Sequence, residues 1–341
     1  MSFVRLQPED FVVSTDAISA TAWTNNSPTL TTFYTSSTQE AGSSGAYYLN
    51  VYDTATTESV QFAVTYGNSA GSGSANYNNL IDGKSPSSTI YGQWQDLVIA
   101  DENTDFVFGN VTSSEFFALP LERTCYKESI FLGSLSLSIS GSGQEITLTD
   151  NSNYVTTIPY LGGGMRVFQL ISGSQGVKNT SVNTDGYTAN SGSYGWLLPD
   201  IGTIILNPLA LAASVADGGA EFEYSGSATA SAAPNVSPNT SLFEAISGSA
   251  SFGINSQESI TSDYVFVRPK SVEFNYSENP SFISGSTGEV VWPMFINNPQ
   301  TYITTIGLYN DTNDLLAVAK LSRPLNKNFI KEALVRVKLD F

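Results

Sequence analysis

One short motif in the chain has the spacing of a catalytic serine. Residues Gly67–Gly71 match the pattern G-x-S-x-G, in which Ser69 would attack an acyl carbon from a turn between a strand and a helix. That chemistry needs a base to accept the serine proton, and the 341-residue chain contains no histidine. The residues that follow are rich in Ser and Gly and do not indicate a helix. We therefore expect a glycine-rich strand end rather than a hydrolase site.

Two acidic segments contain some of the residue types of a calcium-binding loop. Asp101–Asp105 begins like an EF-hand loop, but Phe106 stands where that loop needs glycine, and Thr112 stands where it needs glutamate. Asn310–Asp314 lies between two strand-like runs, so hydrogen bonds from its side chains to its own backbone already explain it. We predict acidic turns in both places, and an irregular cation site at the first is the less favoured alternative.

The composition narrows the remaining chemistry. Without histidine there is no Ser-His-Asp triad and no imidazole ligand for a metal ion. The single cysteine, Cys125, excludes an intrachain disulfide; its basic neighbours Arg123 and Lys127 could lower its pKa, but we interpret it as structural. Two carboxylates could still hydrolyse a glycoside, yet nothing in the sequence selects a pair from the 31 acidic residues. We expect no enzyme activity, no cofactor and no metal site.

Charge and hydropathy disfavour two classes of partner. The formal net charge of −17 argues against nucleic-acid binding, because phosphate contacts need Lys and Arg. The segment Met1–Asp10 lacks the basic and apolar regions of a secretory signal. The most apolar window, Trp196–Ala216, is interrupted by two prolines, an aspartate and an asparagine. We therefore expect neither nucleic-acid binding nor membrane insertion.

Alternation of apolar and polar residues with a period of two is the main structural signal. It predicts three hairpins, formed by 47–52 with 60–66, by 135–140 with 146–149, and by 303–309 with 315–321. In the second hairpin one face would pack in the core and a face of hydroxyls would meet water. In the third, Pro324 would end the second strand. A further strand is predicted at the C-terminus, where apolar residues alternate with Arg336, Lys338 and Asp340.

Signals for helices are few. The best covers Asn207–Gly218, where Asn207 suits the N-cap and Pro208 the first helical position. Asn328–Ala333 suits a single turn. We predict an all-β fold of two or three antiparallel β-sandwich or barrel-like domains with very little helix.

Changes in composition suggest three parts. These are an N-terminal β domain (1–150), a middle β domain with a short helix near 208–217 (151–262), and a C-terminal β module (263–341), with Ser225–Ser241 as the best linker candidate. Lys320–Phe341 has six basic and two acidic residues, a net charge of +4, whereas the preceding residues carry −21. The basic end could dock on an acidic neighbour, including a second copy, or could simply be a solvated strand face.

The most detailed patterns lie in the last quarter of the chain. The C-terminal module of baseplate and tail proteins from T4-like contractile-tailed bacteriophages, especially cyanophages, is similar to Phe274–Glu289 and to Phe295–Tyr309, with its continuation through Asp314–Leu325 to Ala333–Phe341. Met1–Ser14 and Ser85–Gly92 also resemble this group. The resemblance runs along most of the chain, and its sharpest motifs follow Glu273.

This resemblance implies a non-enzymatic structural subunit of the virion, in the tail or baseplate region, made in the bacterial cytoplasm. Its partners would be other virion proteins and copies of itself. A receptor-binding or fibre-type adhesin is the alternative, with Tyr91 and Trp94 as exposed aromatic residues in a loop that would stack on a glycan. A β-sandwich glycoside hydrolase is less favoured.

Assembly contacts are predicted in the C-terminal module. The terminal strand Ala333–Phe341 either completes a sheet of its own chain or pairs with the edge of a neighbour's sheet. The residues predicted to make assembly contacts are Tyr302, Ile306, Leu308, Val335, Val337, Leu339 and Phe341.

Overall fold

The fold is built mainly from antiparallel strands. The computed structural model describes residues 3–23, 26–30, 33–35, 48–53, 59–73, 86–181, 183–224, 238–249 and 251–340. Strands contain 40% of the residues and helices 17%. Nine of the strands curl into a half-barrel. The predicted all-β fold class is confirmed.

Nineteen strands follow one another in the part of the chain that the structure describes. Their bounds are β1 Phe11–Thr21, β2 Phe33–Thr35, β3 Tyr48–Tyr52, β4 Val60–Asn68, β5 Phe106–Phe108, β6 Val111–Ser113, β7 Glu115–Pro120, β8 Ser129–Ile130, β9 Ser136–Ser140, β10 Glu145–Asp150, β11 Phe168–Ser174, β12 Val177–Lys178, β13 Gly195–Leu198, β14 Thr203–Leu206, β15 Phe252–Gly253, β16 Asn255–Val267, β17 Thr301–Tyr309, β18 Leu315–Lys327 and β19 Val335–Asp340.

Five α-helices are interspersed among the strands of the described chain. They are α1 Pro86–Val98, α2 Arg123–Tyr126, α3 Pro208–Ala212, α4 Pro238–Ser247 and α5 Met294–Asn297. In the predicted helical segment, the Asn207 side chain caps α3 by accepting a hydrogen bond from the Leu209 backbone, and a 3₁₀ turn ends at Gly218 in the left-handed conformation. The helix predicted near 208–217 is therefore present in its first half, as α3, and the second half is a separate 3₁₀ turn.

The strands form one large sheet and three small ones. The large sheet has the order β15-β9-β10-β11-β13-β14-β7-β4-β3-β2, with β12 beside β11. A second sheet has the order β1-β16-β19, and β8 also pairs with β16. The pairs β17-β18 and β5-β6 each stand as two-stranded sheets. All three predicted hairpins are present, as β3-β4, β9-β10 and β17-β18.

The middle of the large sheet is buried on both faces. Successive residues of β7 alternate between two apolar clusters, since Phe117 and Leu119 belong to one and Phe116 and Ala118 to the other. Helix α1 covers the second cluster, and α3 and α4 contribute apolar side chains to the first. Central strands with two covered faces are continuous apolar runs in sequence.

The predicted water-facing side of the β9-β10 hairpin is wrong. Ser136 is 9% exposed and Ser138 only 1%. Their hydroxyls form a network in which Ser138 bonds to Thr147 at 2.8 Å and to Ser251 at 3.0 Å, and Ser136 bonds to Ser174 at 3.0 Å. Hydroxyls suit this face because each one satisfies the next, which permits burial without an apolar side chain.

The two longest helices, α1 and α4, were not predicted from the sequence. Helix α1 contains Tyr91, which is buried, and Trp94, which is half-buried, so neither lies in an exposed loop. Helix α4 begins at Pro238 and buries Leu242, Phe243 and Ile246, so the end of the predicted linker is helical. The rest of that linker, 225–237, lies outside the described residues. Each helix begins with a proline in a Ser- or Asn-rich stretch, which looks like a loop in sequence although proline is common at the first helical position.

Pro324 does not end β18, which continues to Lys327. The pairing with β17 shifts register between Ile303 and Thr305, next to the proline. A proline is tolerated at such an irregularity because no ladder hydrogen bond is needed from it. The turn predicted at 328–333 is present, where the Lys331 backbone bonds to the Asn328 carbonyl.

The chain forms two compact units. The core unit is Ile18–Glu258, and the terminal unit joins Met1–Ala17 with Ser259–Phe341. The division into 1–150, 151–262 and 263–341 stays a prediction. Both apolar clusters lie within the core unit.

A carboxylate ties three segments of the core unit together. Glu115 of β7 accepts hydrogen bonds from the hydroxyl of Tyr66 on β4 and, at 2.5 Å, from the hydroxyl of Tyr224. The side-chain amide of Asn68 donates to the same carboxylate at 3.3 Å and to the Tyr66 hydroxyl at 3.2 Å. Hydrogen bonds to a charged acceptor are among the stronger ones, so this cluster fixes residues 219–224 against the sheet.

Removing either tyrosine hydroxyl is expected to destabilise the core unit. Tyr66→Phe or Tyr224→Phe deletes one donor to the carboxylate and should lower the free energy of unfolding by about 1.5–3 kcal/mol. Urea unfolding measures this effect. Tyr48→Phe, at a tyrosine 39% exposed, is the control and should leave stability unchanged. Equal stabilities for all three variants would contradict the role of the cluster.

Because of the same two tyrosines, we predict that the free energy of unfolding falls in alkali. Burial, and then the charge of Glu115, raise the pKa of Tyr66 and of Tyr224 above the ordinary value of 10.0. The folded chain therefore keeps these protons when the unfolded chain has lost them, so their contribution is complete below the unfolded pKa and falls as pH rises above it. The urea concentration at the unfolding midpoint should be lower at about pH 11 than at about pH 8. The difference should be smaller in the doubly substituted protein Tyr66→Phe, Tyr224→Phe, and an identical difference would refute the assignment.

Candidate assembly surface

The serine motif is explained by packing. Ser69 follows β4 in a turn, where its backbone N–H bonds to the Ser114 carbonyl at 2.8 Å. A Cβ on Gly67 would lie 2.7 Å from the Phe116 ring and 3.2 Å from the Tyr91 backbone, so only glycine lets α1 and β7 approach β4. Gly71 has a φ of 83°, which favours glycine in its turn. Both glycines of the motif therefore have a structural reason.

The two acidic segments are turns that satisfy their own carboxylates. Asp101 accepts from the Asn103 backbone at 3.0 Å and from the Thr104 hydroxyl at 2.6 Å, and the Thr104 bond holds the pKa of Asp101 below its usual value. At the other turn, the Asn310 side chain accepts from the backbones of Thr312 and Asp314. Neither arrangement leaves a set of converging carboxylates.

Three further features that the sequence analysis considered are the single cysteine, a metal site and a membrane-spanning segment. Cys125 is half-buried, and burial raises the pKa of its thiol, contrary to what its basic neighbours suggested. Across the described ranges, no group of three or more Cys, Asp or Glu residues is arranged to hold a metal ion. No helix in that part of the chain is long and apolar enough to cross a membrane.

The terminal unit leaves most of its apolar side chains in contact with solvent. In the described chain, its buried apolar residues are Val265, Phe282 and Val337, whereas the core unit supplies all the others. The exposed large apolar residues of the terminal unit are Phe3, Val4, Phe11, Val12, Val13, Val272, Tyr276, Val291, Trp292, Met294, Ile296, Tyr302, Tyr309, Leu315, Leu316, Val318, Phe329, Ile330 and Leu334. Where such residues adjoin, they mark sites that bind proteins, membranes or ligands.

Polar contacts hold the interior of the terminal unit. The side chain of Lys327 is fully buried, and its amine donates to the Ser271 carbonyl at 2.8 Å, to the Asn275 side chain at 3.0 Å and to the Asn328 carbonyl at 3.0 Å. The Thr301 hydroxyl donates to the Phe274 carbonyl at 2.6 Å. These bonds anchor the base of the β17-β18 hairpin to residues 271–275.

The β17-β18 hairpin pairs only with itself among the described strands. Ile306 and Leu308 lie opposite Ala319 and Ala317 and are half-buried. Leu316 and Val318 are 68% and 58% exposed. An isolated two-stranded hairpin is marginally stable in water, so this one gains from a further covering surface.

The predicted assembly residues divide between exposed and covered positions. Tyr302 is 62% exposed, while Ile306 and Leu308 are half-buried. Val337 is buried, and Val335 and Leu339 are half-buried, because β19 pairs antiparallel with β16 of its own chain. The intrachain pairing is therefore the one present, and Phe341 lies outside the described residues.

An aromatic groove on the terminal unit was not predicted. Its volume is about 950 Å³. Its walls include Phe3, Tyr276, Phe282, Phe295, Ile296 and Phe329. The rings of Phe282 and Phe295 stack with centroids 5.1 Å apart, and the Phe3 ring contacts Tyr309 of the hairpin edge-on at 5.2 Å. The groove and the hairpin therefore adjoin on one surface, which we call the assembly surface.

Comparisons with known proteins identify no relative. No protein-family model, no curated protein and no solved structure matches the chain. We therefore infer the role of the assembly surface from the structure of this chain and not from a relative.

Substitutions on the hairpin should reduce the exposed apolar area of the assembly surface and leave folding intact. Leu316→Thr and Val318→Thr replace exposed apolar side chains with β-compatible polar ones, so the free energy of unfolding should change by no more than about 0.5 kcal/mol. Binding of a hydrophobic dye should fall, because the assembly surface loses apolar area. Val177→Thr, at a core-unit valine 66% exposed, is the matched control and should keep the dye signal. An equal loss of dye binding in the control would show that the hairpin is not a distinct surface.

Proposed function

We propose that this protein is a non-enzymatic structural subunit that joins other protein chains through the assembly surface of its terminal unit. The observation that carries the proposal is the distribution of apolar side chains. The core unit buries its apolar residues on both faces of a sheet, whereas the terminal unit presents aromatic and aliphatic residues to solvent. Burial of apolar area is the main driving force of protein association.

The particle that we propose is the virion of a contractile-tailed bacteriophage, with the chain in its tail or baseplate region. The support is the resemblance of residues 274–289, 295–309, 314–325 and 333–341 to tail and baseplate proteins. Those residues include β17, most of β18 and most walls of the aromatic groove, so the motif and the exposed surface coincide in the chain.

A catalytic role receives no positive support. The serine motif has a packing explanation, and the acidic turns bond to their own backbones. The adhesin alternative rested on Tyr91 and Trp94 in a loop, and both lie in helix α1. The structural role is therefore the function we favour.

Localisation in purified particles tests the proposal. In tailed particles whose genome carries this sequence, mass spectrometry should detect the chain, and a cryo-EM map should accommodate it in the tail or baseplate region. Particles that carry Leu316→Thr together with Val318→Thr should contain less of the chain than particles that carry Val177→Thr. Complete absence of the chain from purified infectious particles would contradict the proposal.

A further inference from the structure

The assembly surface contains two features whose chemistry is complementary. We propose that two copies of the chain form a twofold dimer in which the β17-β18 hairpin of each copy packs into the aromatic groove of the other. This inference rests on the proposed function, because it names the partner at the same surface.

The groove suits a protein side chain more than an enclosed small molecule. Its walls are themselves accessible, with Tyr276 59%, Ile296 68% and Phe329 55% exposed. Two carboxylates, Glu273 and Glu278, also line it, and none of its lining residues in the described chain is Lys or Arg. A suitable occupant therefore combines apolar side chains with a basic group.

The hairpin of this same chain has that combination. On β18, Val318 and Lys320 lie opposite Gly307 and Thr305 of β17, which are small, so both side chains stand clear of the partner strand. Val318 is 58% exposed, and Lys320 is exposed with no acidic residue opposite it. The apolar part would contact the aromatic walls, and the lysine would approach Glu278 at the rim.

A twofold arrangement satisfies both features at once. Groove and hairpin adjoin on one surface through the Phe3–Tyr309 contact, and the hairpin base is bonded to residues 271–275 beside the groove. In a twofold dimer, the contact from one copy's hairpin to the other's groove occurs twice. Each copy thereby covers the two apolar features that its own fold leaves open.

Charge exchange between the two sites tests the dimer. Lys320→Glu places a carboxylate against Glu278 of the partner copy, and Glu278→Lys places an amine against Lys320. Each variant alone should raise the dimer dissociation constant by about tenfold or more, because each dimer contains two repulsive contacts. When the two variants are mixed, both contacts again join opposite charges, so a heterodimer should form with near wild-type affinity.

The measurement uses the full-length chain. Light scattering after size exclusion gives the mass, and native mass spectrometry of one tagged and one untagged variant distinguishes heterodimers from homodimers. Glu289→Lys makes the same charge change at an exposed residue that does not line the groove, and it should dimerise like wild type. Circular dichroism and urea unfolding confirm that each variant is folded.

The outcomes separate this inference from the proposed function. Weakened single variants and a restored mixture support the dimer. A wild-type chain that stays monomeric at all concentrations, or a mixture that fails to recover, overturns it. If the monomeric chain is nevertheless found in particles and depends on Leu316 and Val318 for entry, another subunit covers the surface and the proposed function stands. If the charge exchange succeeds but the chain is absent from particles, the dimer stands and the proposed location fails.

Discussion

The position of the apolar core is the constraint on which the rest of the structure depends. In the described chain, the two apolar clusters lie on opposite faces of the large sheet, and all their residues come from the core unit. The terminal unit has instead a buried lysine amine bonded to two carbonyls and an amide. These bonds offset the cost of burying a charged group, so they fix the geometry of the hairpin base and do not replace an apolar core. Burial of the exposed apolar residues of the terminal unit against another chain would therefore be favourable.

The two units also differ in how their strands are covered. In the core unit, α1 packs over β4 closely enough to require Gly67, and the Glu115 cluster ties β4 and β7 to residues 219–224. In the terminal unit, residues 11–17 of β1 are exposed except for the half-buried Ser14, and no other strand of the described residues pairs with the β17-β18 hairpin. We expect such a contrast in a structural subunit. The firmly packed core unit would keep its own fold, and the terminal unit, with its exposed strand faces, would contact other chains. This contrast is the physical basis for proposing a structural role.

Local patterns in the sequence predicted the local structure well. Alternation gave the three hairpins and the terminal strand, and the Asn207–Pro208 pair gave the start of α3. What failed depended on contacts between distant residues. Ser136 and Ser138 look like surface residues until Ser251 and Ser174 complete their hydrogen bonds. The aromatic groove assembles residues as far apart as Phe3 and Phe329, and no local period brings such residues together. The assembly role of Tyr302 stays a prediction, and Glu278 lies in a segment without regular secondary structure, where no alternation of apolar and polar residues marks a wall of the groove.

Hydrogen–deuterium exchange tests the central claim most directly, because it reports whether the terminal unit is covered in the assembled state. The amides of Thr301–Lys327 should exchange quickly in the dilute chain and much more slowly once the chain is assembled, while the amides of β7 and β14 in the core unit should keep the same protection in both states. Equal protection of the β17-β18 hairpin in the free and assembled chain would contradict the account.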